Sequence, residues 1–160
     1  MDNLEVLTRL LIATCLGALI GFERERSKKF AGLRTHALVA LGACLLTLLS
    51  TQSPTLSANS NYDPSRIISN IIVGIGFIGG GAILRSGYKV MGITTAATLW
   101  MVAAIGIAAG IGSYEMALMA AAIVYFVLVI FWKLEKKLRT NNSELILETT
   151  IAENKIANEE

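Results

Sequence analysis

The run Asp63-Pro-Ser-Arg-Ile-Ile-Ser-Asn-Ile-Ile-Val-Gly-Ile-Gly-Phe-Ile-Gly-Gly-Gly-Ala-Ile-Leu84 decides how the rest of the chain is read. Its Gly74, Gly76 and Gly79 spell G-x-G-x-x-G, the dinucleotide-binding fingerprint. That motif requires a preceding strand, a following helix and an acidic ribose ligand about 20 residues further on. From Pro64 to Tyr114 there is no Asp or Glu, and the glycines sit within an uncharged run between Arg66 and Arg85. The better reading is a membrane-spanning helix. At about 1.5 Å per residue, Ile67 to Leu84 covers roughly 27 Å, close to a bilayer core of about 30 Å. Asp63 is placed to cap this helix, with Pro64 at its first position. Gly76 and Gly80, four apart on one face, would let a second backbone approach closely.

Composition supports a membrane class. Apolar residues make up 54% of the 160 residues and charged ones 16%, too little polar surface for a soluble domain of this size. Cys15 and Cys44 both lie in apolar runs and read as small packing residues, with no disulfide or zinc framework to build on.

Working outward gives an all-α membrane protein with five transmembrane helices, at about residues 4–22, 35–50, 67–84, 90–111 and 116–132, forming one domain over 1–139. Glu5 and Arg9 fall inside the first run, where an i, i+4 pair would soften the cost of charge near a helix end. The amino end is acidic and the positive residues follow the apolar run, so a retained first span is expected rather than a secretory signal. Gly17 with Gly21, and Gly106 with Gly110, repeat the small-xxx-small spacing.

Charge sets the orientation. Arg24, Arg26, Lys28, Lys29 and Arg34 follow the first span, Arg85 and Lys89 the third, and Lys133, Lys136, Lys137 and Arg139 the fifth, whereas the opposite side holds only Arg9 and Arg66. The amino terminus is therefore expected outside and the carboxyl terminus in the cytoplasm. Tyr62, Tyr88, Tyr114 and Trp132 fall near the expected interfaces, and Trp100 and Tyr125 are left as packing. The tail, 140–160, is too short for its own core. Glu144 to Ile151 favours an extended strand, open to pairing with a second copy or to disorder.

These segments resemble the MgtC/SapB family of bacterial inner-membrane proteins. The resemblance rests on Gly-Phe-Glu-Arg-Glu at Gly21 to Glu25, Ala-Gly-Leu-Arg-Thr-His-Ala-Leu-Val at Ala31 to Val39 and Asp-Pro-Ser-Arg at Asp63 to Arg66. Gly-Ile-Gly-Phe-Ile-Gly at Gly74 to Gly79 and Thr-Thr-Ala-Ala-Thr-Leu-Trp at Thr94 to Trp100 complete it. It implies a five-span protein of the inner membrane, associated in some members with growth under magnesium limitation, survival inside macrophages and restraint of the proton-driven ATP synthase. Many members carry a soluble carboxyl-terminal domain similar to an ACT domain, and the resemblance implies a short form without it.

Family labels also mention magnesium transport, which chemistry can weigh. Magnesium takes oxygen ligands in near-octahedral geometry, usually with one or two carboxylates, and the uncharged cores of the five expected spans hold no Asp or Glu. The nearest are Glu23 and Glu25 at the inner face and Asp63 at the outer face, so no metal site and no cofactor is expected. One histidine, without a Ser-His-Asp order or metal spacing, argues against an enzyme. A regulator acting through helix contacts is the first reading and a small-ion or solute carrier the alternative.

Two groups of candidate residues follow. At the inner face stand Glu23, Arg34, Thr35 and His36, with Glu23 and Arg34 an expected ion pair and an ordinary positive-inside loop the plainer reading. Within the bundle, Asn70 and the three- and four-spaced Thr94, Thr95 and Thr98 are expected to hydrogen-bond between helices. Asp63 and Arg66 mark the outer face. The expected partners are the lipid bilayer and a membrane protein, ATP synthase by resemblance, with a second copy of the chain left open; nucleic acid is not expected.

Overall fold

A computed structural model describes residues 1–52 and 62–137. It is mostly helical: α1 (Asn3–Arg26), α2 (Leu33–Gln52), α3 (Ser65–Gly81), a two-stranded hairpin of β1 (Leu84–Ser86) and β2 (Lys89–Met91), α4 (Ile93–Ile111) and α5 (Tyr114–Phe126). The last helix continues through a π-helical turn, Val127–Phe131, to Lys137. Met1–Tyr125 forms one compact unit, and a second begins at Phe126. The strand expected at Glu144 to Ile151 lies outside the described residues. Four helices, Asn3–Arg26, Leu33–Gln52, Ile93–Ile111 and Tyr114–Lys137, are long and apolar enough to cross a membrane, and α3 is a shorter apolar helix.

The elements differ from the expected spans at their ends. The first helix runs past Phe22 to Arg26, so Glu23 and Arg24 are helical rather than part of a loop. Glu5 at its start and Arg24 and Arg26 at its end match the helix dipole. The third helix stops at Gly81, not Leu84, after three successive glycines that favour the unfolded backbone. The fourth starts at Ile93, not Val90. Between them Ser86 pairs with Lys89 across a turn of Gly87 and Tyr88, with Gly87 at φ +60°, as a hairpin turn with glycine first requires. Gly92, at φ +90°, then presses on the Ala82 carbonyl so closely that no side chain fits there. The G-x-G-x-x-G triplet is inside α3, not at a strand-to-helix turn.

At the start of α3 the cap is displaced by one residue from the expectation: Pro64 precedes the first helical residue. The Asp63 carboxylate accepts bonds from the Ser65 hydroxyl and the Ser65 N–H, both at 2.9 Å. Those two bonds hold its carboxyl below the usual carboxylate range.

Packing centres on α2 and α4. A methyl group at Gly17 would lie 2.6 Å from the His36 carbonyl oxygen and 2.7 Å from the Ala40 Cβ, so α1 and α2 approach as closely as backbones allow. Gly21 meets Gly32 and Leu33 in the same way. From the other side Gly106 abuts the Ala40 carbonyl, and Gly110 abuts Thr47 and Cys44. Ala40 is thus held between α1 and α4. Ala43, Ile75, Ala103 and Ile107 form an apolar cluster joining α2, α3 and α4.

Gly76 and Gly80 do not pack as expected: a Cβ at either meets nothing within 4 Å. Only Ile75 and Gly79 of α3 are buried, while Val73 and Phe77 are exposed. Cys44 is buried, but Cys15 is exposed on α1. Trp100 and Tyr125, expected as packing, are also exposed.

Candidate functional site

The ionisable groups of the interior gather where α1 ends and α2 and α4 begin. Glu23, Arg24 and His36 are 8%, 2% and 0% exposed, so this is an interior cluster and not a charged surface. Arg24 lies seven residues after Gly17 and three after Gly21, hence on the face that meets α2. That periodicity was the signal for Arg24, which the charge count alone assigns to a loop. The Arg24 Nε donates to Glu23 Oε2 at 2.5 Å, and the Ser27 hydroxyl donates to Glu23 Oε1 at 2.7 Å. Glu23 therefore pairs with Arg24, not with the expected Arg34, which is exposed. A buried pair of this kind is costly to break, because removing one partner leaves the other charge uncompensated.

His36 fastens α2 to α4. Its Nδ1 lies 2.9 Å from the Gly32 carbonyl oxygen, which can only accept, so Nδ1 carries a proton. Its Nε2 lies 3.1 Å from Thr98 Oγ1, and Thr98 Oγ1 is also 2.8 Å from the Thr95 carbonyl oxygen. In a neutral ring the Thr98 hydroxyl donates to Nε2. In a charged ring Nε2–H donates to Thr98, whose own proton turns to Thr95 O. The site satisfies either protonation state by rotating one hydroxyl.

The other candidates separate. Thr95 and Thr98 are buried one turn apart, but Thr94 is exposed and off their face. Asn70 is exposed and, among the described residues, makes no hydrogen bond to another helix; it lines an apolar trough between α2 and α3. Thr35 lines a second groove beside His36. Arg66 is exposed at the start of α3. No cluster of three or more metal-ligating side chains occurs among the described residues.

A second polar fastening, which the spacing foresaw only in part, lies at the opposite ends of α1 and α4. Arg9 pairs with Glu5 at 2.5 Å as the i, i+4 spacing predicts. It also donates from Nη1 to the Gly110 carbonyl at 2.7 Å, meeting the carboxyl end of α4 where its dipole is negative.

Long apolar helices, joined by close glycine contacts and by buried polar bonds, define a helical membrane protein. The chain belongs to the MgtC family, whose model matches residues 10–137. It is 38% identical over 146 residues to YhiD of Escherichia coli strain K12, provisionally described as a magnesium transporter, covering 89% of this chain and 68% of that protein. It is 50% identical over 115 residues to the protein MgtC of Salmonella typhimurium, covering 72% of this chain and 47% of that one. An uncharacterised Synechocystis protein, slr0014, is 42% identical over 124 residues, covering 78% and 51%. The chain thus spans about half the length of the last two relatives. No solved structure matches.

Proposed function

We propose that the chain is a multi-pass protein of the bacterial inner membrane that supports growth at low magnesium as a regulator, restraining ATP synthase through helix contacts. In this reading α3 is a fifth span, short at roughly 26 Å and accommodated by local thinning. The excess of Lys and Arg after α1, in the hairpin and after α5 puts the amino end outside and the carboxyl end in the cytoplasm. One observation carries the choice of regulator: most buried polar side chains are held in bonds, His36 with Thr98 and Arg9 Nη1 with Gly110 tying helix to helix and Glu23 with Arg24 pairing within α1, while among the described residues only Arg9 Nε is buried without a partner. A carrier needs such groups free along a path. The link to magnesium and to membrane energetics comes from the relatives and the family resemblance.

The carrier reading keeps one observation in its favour, the exposed Asn70 amide in the α2–α3 trough. Two measurements separate the readings. Membrane vesicles containing the chain should show slower ATP-driven proton pumping than vesicles without it. Liposomes holding the purified chain and an entrapped magnesium indicator should admit no more ion than empty ones. Unchanged pumping together with magnesium entry that Asn70→Leu abolishes would overturn the regulator.

A further inference from the structure

Two grooves within Met1–Tyr125 meet at Ile78. The first, about 320 Å³, lies between the α1–α2 connection and the end of α3, and is lined by Phe30, Thr35, Ala82, Leu84 and Leu99 beside Ile78. The second, about 430 Å³, is the trough between α2 and α3, with Val39, Leu46, Ile71 and Ile75 on its walls, Asn70 its one polar side chain, and Ile78 again at its edge. Both volumes fall in the range of about 300–1,000 Å³ typical of ligand clefts.

The charge around the two grooves is uneven. Lys29 precedes Phe30, Arg34 precedes Thr35 and Arg85 follows Leu84, and all three cations are exposed. Lys29 and Arg34 take part in no ion pair among the described residues, and Arg85 Nε donates to the Gly87 carbonyl. Of the acids close by, Glu23 is paired with Arg24 and Glu25 accepts the Leu33 N–H at 2.9 Å at the start of α2. The trough beyond Ile78 has no charged side chain on its walls. None of the three cations lines a groove itself, but each is exposed and next in the chain to a lining residue, and cations so placed beside an apolar trough are complementary to an amphiphile with an anionic head.

We propose that the joined grooves hold an anionic phospholipid of the bilayer. Its phosphate lies at the rim of Lys29, Arg34 and Arg85, and one acyl chain runs past Ile78 along α3. Basic pockets between helices bind anionic headgroups by this combination of charge and burial. The site is independent of whether the protein regulates or carries, since either must sit in the same bilayer.

The test is thermal unfolding of the full chain in neutral detergent, titrated with phosphatidylglycerol, with phosphatidylcholine of the same chains, or with inorganic phosphate. Phosphatidylglycerol should raise the unfolding temperature at the lowest concentration, and phosphate alone should do little. Arg34→Gln with Arg85→Gln should raise the phosphatidylglycerol concentration needed by about tenfold. Gly42→Leu keeps every cation and fills the trough from a position where a Cβ meets nothing within 4 Å, and it should weaken the lipid response as well. Lys133→Gln with Lys137→Gln, in the segment that follows α5, should leave it unchanged. Equal responses to the two lipids, or a response to phosphate that matches phosphatidylglycerol, would overturn the proposal. So would a rim variant that responds as the parent does, which decides the matter even where Gly42→Leu fails to fold.

Discussion

His36 Nε2 and Thr98 Oγ1, 62 positions apart in the chain, stand 3.1 Å from each other and tie α2 to α4 inside an otherwise apolar contact. Neither residue touches water to any extent: His36 is 0% exposed and Thr98 is 4%. Thr98→Val removes the hydroxyl while keeping the shape, and it leaves Nε2 without a partner in a medium that cannot supply one. The variant should lose about 1–2 kcal/mol in detergent unfolding. His36→Leu combined with Thr98→Val should cost less than the two single changes added, because both remove the same bond. Strict additivity would mean that the pair contributes nothing beyond its separate packing.

The glycine faces give a second contrast. A Cβ at Gly110 meets the Cys44 carbonyl at 2.9 Å and Thr47 at 2.8 Å, whereas one at Gly76 meets nothing within 4 Å. Gly110→Ala should therefore cost about 1–3 kcal/mol by overpacking. Gly76→Ala should be neutral or add up to about 1 kcal/mol from helix propensity alone. Parallel chemical unfolding in one detergent checks both. A loss at Gly76 as large as that at Gly110 would show that something covers the outer face of α3.

Orientation is tested by labelling. With Cys15 and Cys44 replaced, single cysteines at Asn3 and at Tyr88 should differ towards an impermeant thiol reagent added to intact spheroplasts. Both positions are exposed, Tyr88 fully so at the tip of the hairpin. Asn3 should react from outside and Tyr88 only after lysis. Reaction of Tyr88 before lysis, with Asn3 silent, would invert the topology.

Much of the architecture was legible because a bilayer imposes length and polarity on each segment. Uncharged runs of this length read as helices, and the lack of any Asp or Glu from Pro64 to Tyr114 excludes the nucleotide reading of the glycine triplet. The helix cores were placed this way, with α3 and α4 overrun by a few residues. The missed hairpin between them consists of two three-residue strands, too short to show an alternating pattern. Its marks were local: the glycines ending α3, Gly87 and Gly92.

What one sequence determines by itself is which residues share a face; what lies across from that face is decided by tertiary structure. Three glycine pairs look alike by spacing, and three-dimensional packing uses Gly17, Gly21, Gly106 and Gly110 while leaving Gly76 and Gly80 open. Glu23 was assigned to Arg34 across a presumed loop, yet the helix continued and placed it beside Arg24. Thr98 could be put on a helix face with Thr95, but only the approach of α2 to α4 at Ala40 and Gly106 brings His36 within hydrogen-bond reach of it. The physical reason is the range of the forces. Propensity, periodicity and hydropathy act within one segment, whereas close packing and buried hydrogen bonds depend on two segments meeting at a distance that neither encodes alone.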